Sequence, residues 1–185
     1  MKPATPYPQP AADIYANRKR WAPLGHGKTV VVTGANSGLG FFASLGLAQA
    51  GAQVILACRN QSRAEHAMEQ IRRRVPGARV EFMQYDSSRI EAAMGLAAEL
   101  RNRPLDALIA NAGIIRAPRE RQAGLLGYEL TMSTNFIGHA RLAGELADRF
   151  SQPMRFIGLG SMSTRMLATD PQNLALARDY HPYRA

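Results

Sequence analysis

From Lys28 onward the chain alternates between two hydrophobic rhythms. Short, unbroken aliphatic runs read as buried strands: KTVVVTGA (28–35), QVILAC (53–58), RVEFMQY (79–85), DALIANAG (106–113) and MRFIGLGS (154–161). Between them lie segments of helical spacing. GLGFFASLGLAQAG (38–51) is closed by Gly51. Over 61–75, Ala64, Met68, Ile71 and Val75 recur on one face until Pro76-Gly77 stops the helix. RIEAAMGLAAEL (89–100) follows Ser87 or Ser88, either a suitable cap. Residues 116–126 are polar and read as a loop; 128–150 read as one long helix. Strand and helix thus alternate five times. That predicts an α/β fold, a doubly wound parallel sheet with helices on both faces. Right-handed crossovers would place ligands at the strand C-termini, near the switch in strand order. Residues 1–27, rich in Pro and polar residues without a period, read as a flexible tail.

Composition narrows the class. The 185 residues suit one domain. Cys58 is the only cysteine, so no intrachain disulfide can form. No apolar run reaches the ~20 residues of a membrane span, and the N-terminus lacks a signal-peptide core. A cytoplasmic location is expected. The net charge of +9 comes mostly from scattered Arg, densest in RKR (18–20) and RRR (72–74). Without interleaved aromatics this reads as a solvated basic surface and not a nucleic-acid interface. Such a field would also attract a phosphorylated cofactor. No cluster has metal-ligand spacing.

The chemistry concentrates at TGANSGLG, with Gly34, Gly38 and Gly40 between a strand and a helix. Glycines there let the backbone approach a pyrophosphate, and the helix N-terminus supplies free N–H groups. The spacing Thr-Gly-x-x-x-Gly-x-Gly resembles that of the short-chain dehydrogenase/reductase family, and further motifs follow in the family's order over 28–185. The resemblance implies a Rossmann-type NADP-binding domain. Gly34, Ser37, Gly38, Leu39 and Gly40 would hold the cofactor. Asp86, ending the third strand, would meet the adenine. Asn111-Ala112-Gly113 would support the sheet beside it. In STNFIGH, Asn135 matches a structural and catalytic Asn. In RFIGLGS, Ser161 matches the Ser that polarises the substrate carbonyl, ahead of nearby Ser163 and Thr164. His139 is expected to be a packed helix residue.

At the end of the second strand, NAD-binding relatives carry an acid for the ribose hydroxyl. Here Cys58 takes that position and Arg59 follows. A guanidinium pairs with a 2′-phosphate, so NADP(H) is expected, with Arg63 assisting.

The family's proton donor is a Tyr activated by a Lys in Tyr-x-x-x-Lys. The lysines here are Lys2, Lys19 and Lys28, all before the glycine turn. Either Tyr183 is that Tyr, or YRA (183–185) is the triplet that precedes it in the retinol-dehydrogenase-like branch. LACRN, YELTMSTNFIGH and DPQNLALARDYHPYRA resemble that branch. Both alignments imply a sheet truncated after about five strands. The fifth would be left as an apolar edge, an aggregation hazard. The expected activity is hydride transfer between NADP(H) and a carbonyl or alcohol substrate, in a family whose full-length members are commonly homo-oligomeric. The alternatives are a catalytically incompetent NADPH-binding module and an inactive fragment.

Overall fold

The computed structural model describes residues 25–147, 154–160 and 170–182. Five parallel strands form one sheet in the order β3-β2-β1-β4-β5. They are β1 (Thr29–Thr33), β2 (Gln53–Cys58), β3 (Val80–Gln84), β4 (Ala107–Ala110) and β5 (Arg155–Gly158). The order reverses between β1 and β4, whose register pairs Val31 with Leu108.

The strand period of two sorts the core onto two faces. Val30 and Val32 of β1, with Val54 and Leu56 of β2, point to one side. There they meet α1 (Gly38–Gln49) and α2 (Gln61–Arg74) through Phe41, Leu45, Ala64 and Ile71. Val31, Ile55 and Leu108 point the other way. On that face α3 (Ile90–Leu100) supplies Leu96 and Leu100, and the following helix supplies Leu142. The sheet is therefore doubly wound, as the alternation predicted.

Local chemistry sets the helix ends. The Asn60 side chain caps α2 by accepting from Arg63 N–H at 2.9 Å. Arg72, Arg73 and Arg74 occupy its last turn, where the helix dipole favours cations. α3 departs from expectation: its N-cap is Arg89, with no side-chain cap, and neither Ser87 nor Ser88 serves. Asp86 Oδ1 instead accepts from Ser88 N–H (3.0 Å) and Ser88 Oγ–H (2.6 Å). This local turn competes with a serine cap.

The stretch expected as one helix over 128–150 is interrupted. It runs as Leu130–Met132, a π-helical turn Ser133–Ile137, and Gly138–Glu145; together these are α4. Glu129 caps its start, fully buried.

β5 pairs with β4 and lies at the sheet edge. Phe156, Ile157 and Leu159 are each more than two-fifths exposed, as expected for an apolar edge. Residues 170–182 contain one 3-10 turn, Pro171–Asn173. They dock on the loop after β4. Arg121 Nε donates to Leu176 O at 2.9 Å, and Tyr180 O–H donates to Pro118 O at 2.6 Å.

Lys28 sits at the opposite end of the sheet from the glycine turn, where its Nζ pairs with Asp106 at 2.8 Å. Gly25 N–H donates to Ala50 O at 3.0 Å, so Gly25 also packs against the sheet's helical layer.

Candidate functional site

The C-terminal end of β1 opens into the glycine turn. Gly34 has φ +64° and Gly38 φ +54°, both left-handed values that favour glycine. Around Gly38 nothing among the described residues lies within 4 Å of a would-be β-carbon, so the turn presents bare backbone. Gly40 serves packing instead. A β-carbon there would sit 2.5 Å from Asn111 Nδ2 and 2.6 Å from Gly34 O. Ser37 makes no side-chain cap to α1, and Ser37, Gly38 and Leu39 are exposed. The first N–H groups of α1 therefore face open space, a cradle suited to a pyrophosphate.

Asn111 fixes this turn from β4. Its Nδ2 donates to Thr33 O at 2.8 Å and to Gly34 O at 3.4 Å. The Thr33 hydroxyl is the hub. Asn111 N–H and Ala112 N–H each donate to Thr33 Oγ1 at 2.9 Å, filling both lone pairs. The hydroxyl proton has two acceptors in reach, His139 Nε2 at 2.9 Å and, less favourably, Ile109 O at 3.3 Å.

That accounting sets the histidine. A third donor toward Thr33 Oγ1 would find no lone pair, so His139 Nε2 accepts and Nδ1 carries the proton. Nδ1 lies 3.2 Å from Asn135 O, the acceptor it then needs. His139 is buried, and burial lowers its pKa from 6.5. The sign follows. Below about pH 6.5 the unfolded chain takes up a proton that the folded chain refuses, so stability is full above that pH and falls as pH drops. Urea midpoints should therefore decline between about pH 7 and about pH 5.5 in the native chain. In His139→Gln, less stable overall, that decline should be shallower. Parallel curves would mean that another group carries it.

Asn135 lies in the π-helical turn of α4. Its Oδ1 accepts from Ile114 N–H at 2.7 Å and its Nδ2 donates to Ile114 O at 2.9 Å. The side chain thus binds the segment after β4. A β-carbon on Gly113 would lie 3.0 Å from Asn135 Oδ1. Sequence reading identified Asn111, Gly113 and Asn135 singly; the structure joins them through Thr33 and His139. The threonine was visible only as part of the glycine motif, and the histidine only as a packing residue.

Across the sheet's C-terminal edge, Arg59, Gln84, Asp86, Arg89, Glu91 and Ala92 line an open groove between the N-termini of α2 and α3. Cys58 is buried there, and burial pushes its thiol up to about 11, so it stays neutral. Gln84 Nε2 donates to Arg59 O at 3.0 Å and holds the groove floor. Arg59 has no side-chain partner among the described residues. Ser161, its rivals Ser163 and Thr164, and Tyr183 lie outside the described residues. Among the described residues no three His, Cys, Asp or Glu side chains converge on a possible metal site. No helix among them is long and apolar enough to cross a membrane.

Residues 28–168 match the short chain dehydrogenase family. The chain belongs to this family. It is 35% identical to the WW domain-containing oxidoreductase of Drosophila melanogaster over 155 residues, covering 82% of this chain and 37% of that protein. Against human retinol dehydrogenase 13 it is 36% identical over 141 residues, covering 74% of this chain and 42% of the relative. These relatives bear out the resemblance to the retinol-dehydrogenase-like branch. The chain therefore spans about two-fifths of the length of each. Among solved structures, a Mycobacterium paratuberculosis protein superposes with TM-score 0.73 at 30% identity, covering 86% of this chain and 56% of that one. A short-chain dehydrogenase from Sphingobium yanoikuyae in complex with NADPH gives TM-score 0.64 at 29% identity, covering 74% and 54%. The bare glycine turn and uncapped α1 fit the nicotinamide dinucleotide that this short-chain dehydrogenase fold implies.

Proposed function

We propose that this chain is the NADP(H)-binding part of an oxidoreductase that interconverts a carbonyl and an alcohol. The observation that carries the cofactor choice is the end of β2. A neutral, buried Cys58 stands where a carboxylate would repel a 2′-phosphate, and exposed Arg59 opens onto the groove. The dinucleotide supplies the hydride chemistry when bound. This chain's residues bind and orient it. The α1 N-terminus with Ser37, Gly38 and Leu39 would take the pyrophosphate, Arg59 the 2′-phosphate, and Asp86 the adenine side. Asn111, Ala112 and Gly113 would wall the nicotinamide side, with Asn135 fixing that wall through Ile114. Ser161 would polarise the substrate carbonyl and Tyr183, or a residue following it, would hold the proton.

Arg59→Ala should weaken NADPH binding about tenfold to hundredfold, the worth of a charge-assisted hydrogen bond, and leave NADH binding nearly unchanged. Titration calorimetry with both dinucleotides reads this directly. Equal loss for both would remove the 2′-phosphate assignment. NADPH consumption that depends on an added carbonyl would assign hydride transfer to these 185 residues. Thermal stabilisation by NADPH without consumption would favour the second reading, a binding module without turnover.

A further inference from the structure

We infer that Arg89, and not Arg63, is the second cation of the 2′-phosphate subsite; this rests on the NADP(H) reading above. A phosphate monoester carries a charge of roughly −1.5 to −2 near neutral pH, more than one guanidinium offsets. Arg63 follows Arg59 by one helical turn, yet it does not line the groove. Arg89, thirty positions along the chain and in the next strand-to-helix connection, does.

Arg89 is available for this role. Among the described residues its one ion pair is with Glu91, Nε to Oε2 at 3.9 Å, and both side chains are more than two-thirds exposed. Such a pair contributes little and yields readily to a better partner. Arg89 is also the N-cap residue of α3, yet its side chain makes no cap hydrogen bond. The helix start therefore does not depend on the guanidinium. Two carboxylates share the groove. Asp86 is turned onto Ser88 through Oδ1, whereas Glu91 is held only by the loose pair. A phosphate drawn between Arg59 and Arg89 would displace Glu91 from Arg89. Glu91 is thereby a brake on NADP(H) affinity and Arg89 a selectivity residue.

The test measures dissociation constants for NADP+, NAD+ and 2′,5′-ADP with the full 185-residue chain. The variants are Arg59→Ala, Arg63→Ala, Arg89→Met and Glu91→Gln, each checked for an unchanged melting temperature. Arg89→Met should weaken NADP+ and 2′,5′-ADP about three- to tenfold and leave NAD+ within about twofold, a contribution discounted for exposure. Glu91→Gln should tighten both phosphorylated ligands by a few-fold. Arg63→Ala should change none of them by more than about twofold. If Arg59→Ala weakens NADP+ selectively while Arg89→Met does not, the role of Arg89 is overturned and the cofactor reading stands. If neither arginine alters the NADP+ to NAD+ ratio, both fall.

Discussion

Replacing Gly138 by alanine is expected to cost about 3 kcal/mol or more of folding stability, the upper range for forcing a methyl into a filled site. A β-carbon at Gly138 would lie 2.7 Å from the Ser87 carbonyl carbon and 3.0 Å from Ser87 Cα, and closer still to the carbonyl oxygen. These are backbone atoms, so no rotamer change relieves the clash. Either α4 moves away from the connection after β3 or that connection moves. Moving α4 drags Asn135 off Ile114 and His139 off Thr33, so cofactor binding should weaken along with stability. The control lies on the same helix. Gly144 is exposed and has nothing among the described residues within 4 Å of a would-be β-carbon. Gly144→Ala should raise stability by about 0.5–1 kcal/mol through helix propensity alone. Thermal melts of the two variants should therefore move in opposite directions, with Gly138→Ala melting roughly 6–12 °C lower. Equal melting points would show that the α4–Ser87 contact is not as tight as the structure places it.

The second large effect is at Glu129. Its carboxylate is fully buried, with Oε1 accepting from Thr131 N–H (2.8 Å) and Thr131 Oγ–H (3.0 Å), and Oε2 accepting from Met132 N–H (3.1 Å). Three donors and the positive end of α4 offset the burial of one negative charge. Glu129→Ala removes every acceptor, strands the buried Thr131 N–H and the part-buried Met132 N–H, and leaves a void. About 3 kcal/mol should be lost. Glu129→Gln keeps the shape and one oxygen but turns an NH2 group toward a donor, so about half of that loss is expected. Urea unfolding of the pair separates the two contributions. If Gln costs as much as Ala, charge and not hydrogen-bond count dominates.

Much of this architecture could be read directly from residue order. QVILAC is β2 to the residue, and α1 begins and nearly ends where its glycines put it. Strand alternation alone predicted helices on both faces, because buried parallel strands leave few other patterns. Gly34 and Gly38 were legible as turn glycines since positive φ selects glycine. The misreadings share a cause. The π-helical turn in α4 follows contacts made by Asn135 with Ile114 and by Gly138 with Ser87, none of which leaves a trace in helical periodicity. The serine cap of α3 lost to Asp86, a competition decided two residues away. Arg89 was invisible as a groove residue because the groove is shared by two strand-to-helix connections thirty positions apart. Arg63, four positions after Arg59, is the nearer arginine in sequence.

The Thr33 hub has a consequence for how the chain comes into being. Its hydroxyl is bonded to groups 78, 79 and 106 positions downstream. On a ribosome the glycine turn emerges early, yet its geometry cannot be fixed until Asn111 and then His139 have left the exit tunnel. The earlier three-stranded unit, β1 to β3, has its pairings complete by residue 84 and can form before that moment. The last bond to the hub is therefore a late event. A nascent chain stalled before residue 139 should own a paired sheet whose Thr33 hydroxyl still lacks its histidine partner.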